Sequence, residues 1–321
     1  MFKVAEAYGK IRGTKMRIKT YDAFKVPEGI RIPYIGGKIY YYLSKKECEY
    51  IRKLTISELG LNKEKRKEKR KEKIIVSLTS FPARIEVVGY VLKSLFNQTM
   101  KPDRIILWLA DDQFPDRQIP KLLNDLCEKG LEIKYCKDLK SHKKYFYALQ
   151  EQKENELVIT YDDDIIYPEN SIERLYETHL KFPKCIVCNR AMEAFMENKK
   201  FIPYTNWKVY SGEGVGQPSM RLFPSTGGGT LYPYGSVSKE AFNIEHMKQC
   251  AFSADDLWMR FMSALNGTAV IKTRKCHKTF SVLEESQRES LQVENCLNHG
   301  NDLALERLCE KYPEAVKNMF G

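Results

Sequence analysis

Apolar positions fall into two rhythms that take turns along the chain. Ile74 to Thr79 is a short apolar run with the length of a buried strand. Ile85, Val88, Val91, Leu92, Leu95 and Phe96 then return every three or four residues, the spacing of one helix face. The pair repeats. Arg104 to Leu109 reads as a second strand, and about Ile119 to Glu128 as a helix closed by Gly130. Leu131 to Tyr135 is a third strand, Tyr145 to Gln152 a third helix, and Leu157 to Tyr161 a fourth strand. Strand starts lie 30, 27 and 26 residues apart, the length of a βαβ unit. The expected fold is α/β: a largely parallel, Rossmann-like sheet flanked by helices, with right-handed crossovers.

Beyond residue 185 the rhythm fades. Ser225 to Ser236 (Ser-Thr-Gly-Gly-Gly-Thr-Leu-Tyr-Pro-Tyr-Gly-Ser) reads as a loop-rich wall, and the tail from about Leu303 to Phe320 as helix. No apolar run reaches the length of about 18 residues that a membrane span needs. The first ten residues lack the apolar stretch of a secretory leader. With nine scattered cysteines, that points to reduced thiols and a cytoplasmic location. Cys185 and Cys188 sit inside a strand pattern with no second ligand pair at zinc spacing, so they read as structural.

Charge divides the chain. Residues 1–73 hold 21 Lys/Arg and 9 Asp/Glu; the remainder holds 32 and 33. Residues 62–73 contain no apolar side chain and read as a solvated helix or linker. A basic N-terminal appendage, 1–73, is thus set apart from a neutral main domain, 74–321. A neutral body argues against a nucleic-acid groove. Glu alternates with the basic residues, which weakens polyphosphate binding. Weak peripheral contact with anionic lipid at the inner membrane face suits the appendage better.

In parallel sheets ligands bind beyond the carboxyl ends of the strands. Those ends carry Thr79 and Ser80, then Asp111 and Asp112, then Asp162, Asp163 and Asp164. Strand alternation would put Asp162 and Asp164 on one face. Adjacent carboxylates repel unless protons or a cation neutralise them, and hard oxygen donors suit Mg2+ or Mn2+. The plainer alternative is a polar turn. Asp255-Asp256 opens a helix behind Ser253, a fair N-cap. The pair either stabilises the helix dipole or supplies a base facing an acceptor. Arg84, Lys143 and Lys144 are candidates for a diphosphate, against the alternative of ordinary surface charge. His277 and His299 are lone histidines; His277 would complete a metal site if it is not simply structural.

These residues carry a resemblance. Val-Ile-Thr-Tyr-Asp-Asp-Asp-Ile-Ile-Tyr-Pro resembles the Asp-x-Asp segment of GT-A fold glycosyltransferases, and Ala-Asp-Asp-Leu-Trp-Met their later acidic pair. Val-Ser-Leu-Thr-Ser-Phe-Pro-Ala-Arg, Leu-Trp-Leu-Ala-Asp-Asp-Gln-Phe-Pro and Ser-His-Lys-Lys-Tyr-Phe-Tyr-Ala-Leu look like donor-site segments of bacterial capsular and cell-surface polysaccharide glycosyltransferases. The match runs from about Lys73 to Asp302. It implies a nucleotide-sugar half (74–184) and an acceptor and catalytic half (185–321). It implies Mn2+ or Mg2+ on Asp164 and Asp162 bridging the donor diphosphate. Thr79, Ser80, Arg84 and Asp111 would line the nucleoside pocket, with Lys144, Asp162 and Asp163 facing the donor. Gly227, Gly228 and Gly229 would let backbone approach the acceptor sugar. Asp255 or Asp256 would be the catalytic carboxylate. The implied donor is a nucleotide sugar, a UDP-sugar first; the acceptor is a saccharide or lipid-linked saccharide in surface polysaccharide synthesis. One departure leaves the stereochemistry open: many inverting members carry Glu-Asp where this chain has Asp-Asp, which also resembles retaining exostosin-like enzymes. The roles implied are separable, so neutralising the late pair is expected to spare donor binding.

Other readings fare worse. No glycines follow the first strand as a nicotinamide enzyme needs, and no P-loop occurs. A nucleotidyltransferase making nucleotide sugars shares the sheet and the metal but wants a glycine-rich loop at that point. A non-enzymatic anionic-surface binder would rest on residues 1–73 alone. Deleting those residues should leave donor binding intact and weaken co-sedimentation with anionic vesicles in a salt-sensitive way. It should also cost stability if Ile39 to Leu43 packs on the main domain.

Overall fold

Four parallel strands form the first half of the sheet: β1 (Lys73–Thr79), β2 (Arg104–Ala110), β3 (Leu131–Cys136) and β4 (Glu156–Tyr161), in the order β4-β1-β2-β3. The structure is a computed structural model that describes residues 45–60, 70–209, 211–274, 281–283 and 299–321. The described residues belong to a compact unit spanning Tyr40–Gly321. Ile75 pairs with Arg104 of β2 and Val158 of β4, so β1 is the hydrogen-bonded centre of this half. The α/β class and the largely parallel sheet are as the periodicity predicts.

Alternation along β1 divides the interior in two. Ile74, Val76 and Leu78 pack with Val88, Val91, Leu92, Leu95 and Phe96 of the helix Ile85–Phe96. That core also takes Leu123 and Leu126 of Lys121–Cys127, and Ile172 and Leu175 of Ser171–Lys181. Ile75 faces the other core, with Trp108, Tyr145, Leu149, Leu257, Trp258 and Phe261. The period of two in the strand thus meets the period near 3.6 in the helices on both faces.

The second half departs from the expectation. Ser225 to Ser236 was expected to be a loop, but its middle, β6 (Gly228–Tyr232), is a fully buried strand. With β5 (Ile186–Cys188) and β7 (Val270–Lys272) it completes a seven-stranded sheet in the order β7-β5-β6-β4-β1-β2-β3. β6 runs antiparallel to both β4 and β5. Its register with β4 slips between Gly228 and Thr230, and Gly229 has φ +89°. An added Cβ there would stand 2.7 Å from Asn189 Nδ2 and 2.9 Å from the Tyr161 ring. The glycines that mimic a loop are what a buried, bulged strand requires here. Two helix starts also differ. Lys143–Glu151 begins early enough to hold Lys143 and Lys144 in its first turn. Asp255–Leu265 has Ala254, not Ser253, at its N-cap, with no side-chain cap bond.

Residues 45–60 pack on the first core. A helical stretch over 45–53 buries Ile51, and Leu59 is buried beyond it. Lys93 donates to the Arg52 carbonyl at 2.8 Å, and Ser281 to Glu47 at 2.6 Å. Ser281–Val282 in turn pairs antiparallel with Ile165–Ile166, directly after the acidic triplet. Ile39 to Leu43 lies outside the described residues. No described helix is long and apolar enough to cross a membrane. Ile51→Ala should cost about 2–5 kcal/mol in chemical denaturation, the range for truncating a buried isoleucine. An unchanged midpoint would show that this stretch does not belong to the cooperative core.

Candidate active site

Two acidic clusters meet beyond the carboxyl ends of β1 and β4, and Lys144 is bonded to both. Its Nζ donates to Asp162 Oδ1 at 2.6 Å and lies 2.9 Å from Asp255 Oδ2. The side chain is only 3% exposed. Burial works against its charge, but the surrounding Asp162, Asp255 and Asp256 outweigh that and hold its pKa well above the ordinary lysine value. Its backbone is fixed from the sheet: Trp108 Nε1 donates to Ser77 Oγ at 2.9 Å, and Ser77 Oγ donates to the Lys144 carbonyl at 2.5 Å.

On the other flank Arg84 gathers the rest of the triplet. Its Nη1 donates to Asp163 Oδ1 at 2.7 Å and lies 3.2 Å from Asp164 Oδ2. Ser80 Oγ donates to Asp163 Oδ2 at 2.6 Å. Burial raises the Asp163 pKa, and Arg84 and Ser80 offset only part of the rise. β4 ends at Tyr161, so strand alternation does not govern the triplet. Asp163 and Asp164 share Arg84, while Asp162 turns to Lys144. Asp162 is the most open of the three, at 37%. Its backbone N–H donates to Tyr167 Oη at 2.8 Å, and Tyr167 donates to the Gly227 carbonyl at 2.5 Å. A Cβ on Gly227 would overlap the Asp162 carboxylate.

Thr226 holds the late pair. Its N–H donates to Asp256 Oδ1 at 2.7 Å. Its hydroxyl lies 2.5 Å from that oxygen and 2.6 Å from Asp255 Oδ2. One hydroxyl proton cannot serve two carboxylates, so the two residues are electrostatically unequal. Burial would raise Asp255, but the Lys144 ammonium, with a hydrogen bond from Thr226, more than reverses it and holds its pKa below the usual carboxylate range. Burial, then the neighbouring Asp255 charge, pushes Asp256 up to about 7. His142 is buried and its pKa falls to about 4, so it is neutral. Its Nε2 faces the Ala251 carbonyl at 3.0 Å and must carry the proton; Nδ1 accepts from Tyr145 Oη at 2.8 Å.

The structure thus brings together Ser80, Arg84, Lys144, Asp162, Asp163, Asp164, Gly227, Asp255 and Asp256. It does not bring in Thr79, whose hydroxyl donates to the Trp108 carbonyl at 2.8 Å, or Asp111, which is exposed and lies 3.7 Å from Arg117. Gly228 and Gly229 are buried within β6, Gly228 paired with Tyr161 and Gly229 at the bulge. Lys144 is buried between carboxylates instead of lying open toward a donor. His277 lies outside the described residues. His299 is exposed and pairs with Asp302 at 3.1 Å. Thr226, Ser77, Tyr167 and His142 were not singled out from sequence. Ser77, His142 and Tyr167 lie inside the segments that carry the resemblance, and Thr226 directly precedes Gly227; that placement was the one available signal.

A divalent cation can be tested against this donor set. Five carboxylates converge, and the ion pairs set Lys144 and Arg84 against them, leaving negative charge in excess. All the donors are hard oxygens. Among the described residues no group of three or more His, Cys, Asp or Glu is arranged to hold a metal. Mg2+ and Mn2+ ordinarily use one or two carboxylates and take phosphate and water for the rest, and Asp162 and Asp164 are the partly open carboxylates that would hold one.

No protein-family model and no curated protein matches the chain. Solved structures similar to it include a 4-diphosphocytidyl-2C-methyl-D-erythritol synthase from Anaerococcus prevotii (13% identity, 71% of this chain, 96% of that one, TM-score 0.41). They also include the 1–349 portion of S. aureus TarS (11% identity, 65% of this chain, 59% of that one, TM-score 0.42). A third is the Francisella tularensis 2-C-methyl-D-erythritol 4-phosphate cytidylyltransferase (13% identity, 72% and 99%, TM-score 0.38). Likenesses of this degree carry no inference about activity.

Gly227→Ala should destabilise by roughly 1–3 kcal/mol, the usual cost of overpacking. Gly212→Ala is the control, since an added methyl there meets nothing within 4 Å. Equal unfolding midpoints for both variants would contradict the close fit of Gly227 to Asp162.

Proposed function

We propose that this chain is a glycosyltransferase that moves a sugar from a nucleotide-sugar donor, a UDP-sugar first among them, to a saccharide or lipid-linked acceptor. The observation that carries this is the unlike electrostatics of two adjoining acid clusters. Asp162 and Asp164 are partly open at the sheet's ligand-binding edge and would hold Mn2+ or Mg2+. When bound, the cation supplies charge neutralisation for a diphosphate leaving group. Arg84 adds fixed positive charge on the same side. Asp256 has an elevated proton affinity and is less buried than Asp255, as a general base for a sugar hydroxyl must be. The acceptor oxygen would bond to the anomeric carbon as the bond from that carbon to the diphosphate oxygen breaks. The hydroxyl proton would pass to Asp256. Asp255 stays paired with Lys144 and positions rather than reacts.

Surface polysaccharide synthesis at the inner membrane face is the setting that agrees with a basic 1–73 segment and a neutral body. A nucleotidyltransferase is disfavoured by the turn after β1. Pro82–Arg84 is a short 3-10 helix without glycine, where a nucleotidyltransferase wants a glycine-rich loop.

The test is a panel of nucleotide sugars assayed for transfer and hydrolysis with Mn2+ and with excess chelator. Chelation should abolish turnover, and full activity without metal would remove the cation from the scheme. Asp164→Asn should lose donor affinity and turnover together. Asp256→Asn should bind donor and lose roughly 10²–10⁴ in turnover, the span of a general base. Turnover of the native protein should rise as pH increases through about 7, because Asp256 must lose its proton to act. Asp256→Asn should erase that limb; near-native rates in this variant would place the base elsewhere.

A further inference from the structure

Lys144 cannot withdraw from between the two clusters. Its carbonyl is pinned through Ser77 to Trp108, its ammonium is buried, and both of its carboxylate partners are themselves held in place. Asp255 is fixed by Thr226 Oγ1 at 2.6 Å, and Asp162 by Tyr167 behind its backbone. The ammonium therefore divides a fixed charge between Asp162 Oδ1 and Asp255 Oδ2. Charges shared at such distances in a poorly solvated site interact strongly. Whatever strengthens one partner's hold weakens the other's.

We propose that Lys144 is a positioning residue that makes divalent-cation binding at Asp162 depend on Asp255, across the site. This rests on the reading of Asp162 as a cation ligand. When Asp255 is charged it shares the ammonium with Asp162, at 2.9 Å against 2.6 Å, so a cation at Asp162 Oδ1 has a divided competitor to displace. When Asp255 is neutral the ammonium falls wholly to Asp162 and competes for the same oxygen. The dependence is reciprocal, as linkage requires. A cation arriving at Asp162 displaces Lys144 toward Asp255 and fixes the late pair. Donor loading would thereby set the acceptor-side carboxylates, and the separability expected from the sequence does not hold for Asp255.

The experiment titrates Mn2+ alone, followed by the electron paramagnetic resonance signal of free Mn2+, with every variant at the same pH. Asp255→Asn should weaken Mn2+ binding by roughly 5- to 50-fold, within the usual range of site coupling. Asp256→Asn removes a like charge that is not bonded to Lys144 and should weaken Mn2+ binding clearly less than Asp255→Asn does. Lys144→Gln should bind Mn2+ more tightly than native, and adding Asp255→Asn to it should change little. If Lys144→Gln does not fold, Lys144→Arg serves: it keeps a cation, so Asp255→Asn should still weaken binding. Equal Mn2+ affinity in the Asp255→Asn and Asp256→Asn variants overturns the proposal. So does an Asp255→Asn defect undiminished without Lys144. Sugar transfer with no Mn2+ uptake sinks this coupling and leaves the glycosyltransferase reading. Coupled Mn2+ uptake with no transfer from any donor sinks that reading and leaves the coupling.

Discussion

Five carboxylates crowded at one end of a sheet would drive one another apart or take up protons. What lets them stay is the buried ammonium of Lys144, held where Asp162 and Asp255 both reach it, with Arg84 doing the same for Asp163 and Asp164. A pair in which either member was solvated would be worth little. Lys144 and Asp255 are both buried, and losing one of them would leave an uncompensated buried charge. The rest of the site follows from that constraint. Ser77 and Trp108 exist, structurally, to place Lys144; Thr226 exists to place the acids that Lys144 cannot fully neutralise.

The inequality of Asp255 and Asp256 has the same origin. They are consecutive residues on one helix turn and share a threonine, yet one touches the ammonium and the other does not. The first is driven to stay charged, the second to hold a proton. Side chains identical in chemistry thus acquire different uses from a difference in one neighbour, as pairs of carboxylates in enzymes commonly do. The helix dipole contributes to both and does not separate them.

The first half of the sheet was legible because every strand and helix there buries a face. Ile74, Val76 and Leu78 alternate with Ile75, and Val88, Val91, Leu92 and Leu95 recur at helix spacing, so pattern and packing coincide. β6 was not legible. Gly228 and Gly229 carry no side chain to reveal a period, and at Gly229 Tyr161 and Asn189 occupy the space a Cβ would fill. Composition reports such a segment as loop when tertiary crowding is the cause. The acidic motifs were visible as motifs. The bond joining them was not, because Lys144, Asp162 and Asp255 meet only through the crossing of β1, β4 and a helix that lies some hundred residues later. Ile51 and Leu59 were hidden for another reason: they lie in a short stretch before the charged run at 62–73, outside the alternating strand and helix rhythm that begins at Ile74.

β6 has a consequence for how the molecule comes into being. It is the neighbour of β4 in the finished sheet, yet 66 residues lie between the end of β4 and its start. During synthesis from the amino end, β1 to β4 can pair as soon as they emerge, leaving β4, buried along its whole length in the folded protein, as an open apolar edge. Open edges of that kind recruit strands from other chains. At the usual pace of translation the exposure lasts several seconds. The two halves that look like modules in the sequence are therefore not separable pieces: a fragment ending near residue 184 would carry an unsealed edge and should be prone to aggregate, and β6 is the strand that closes it.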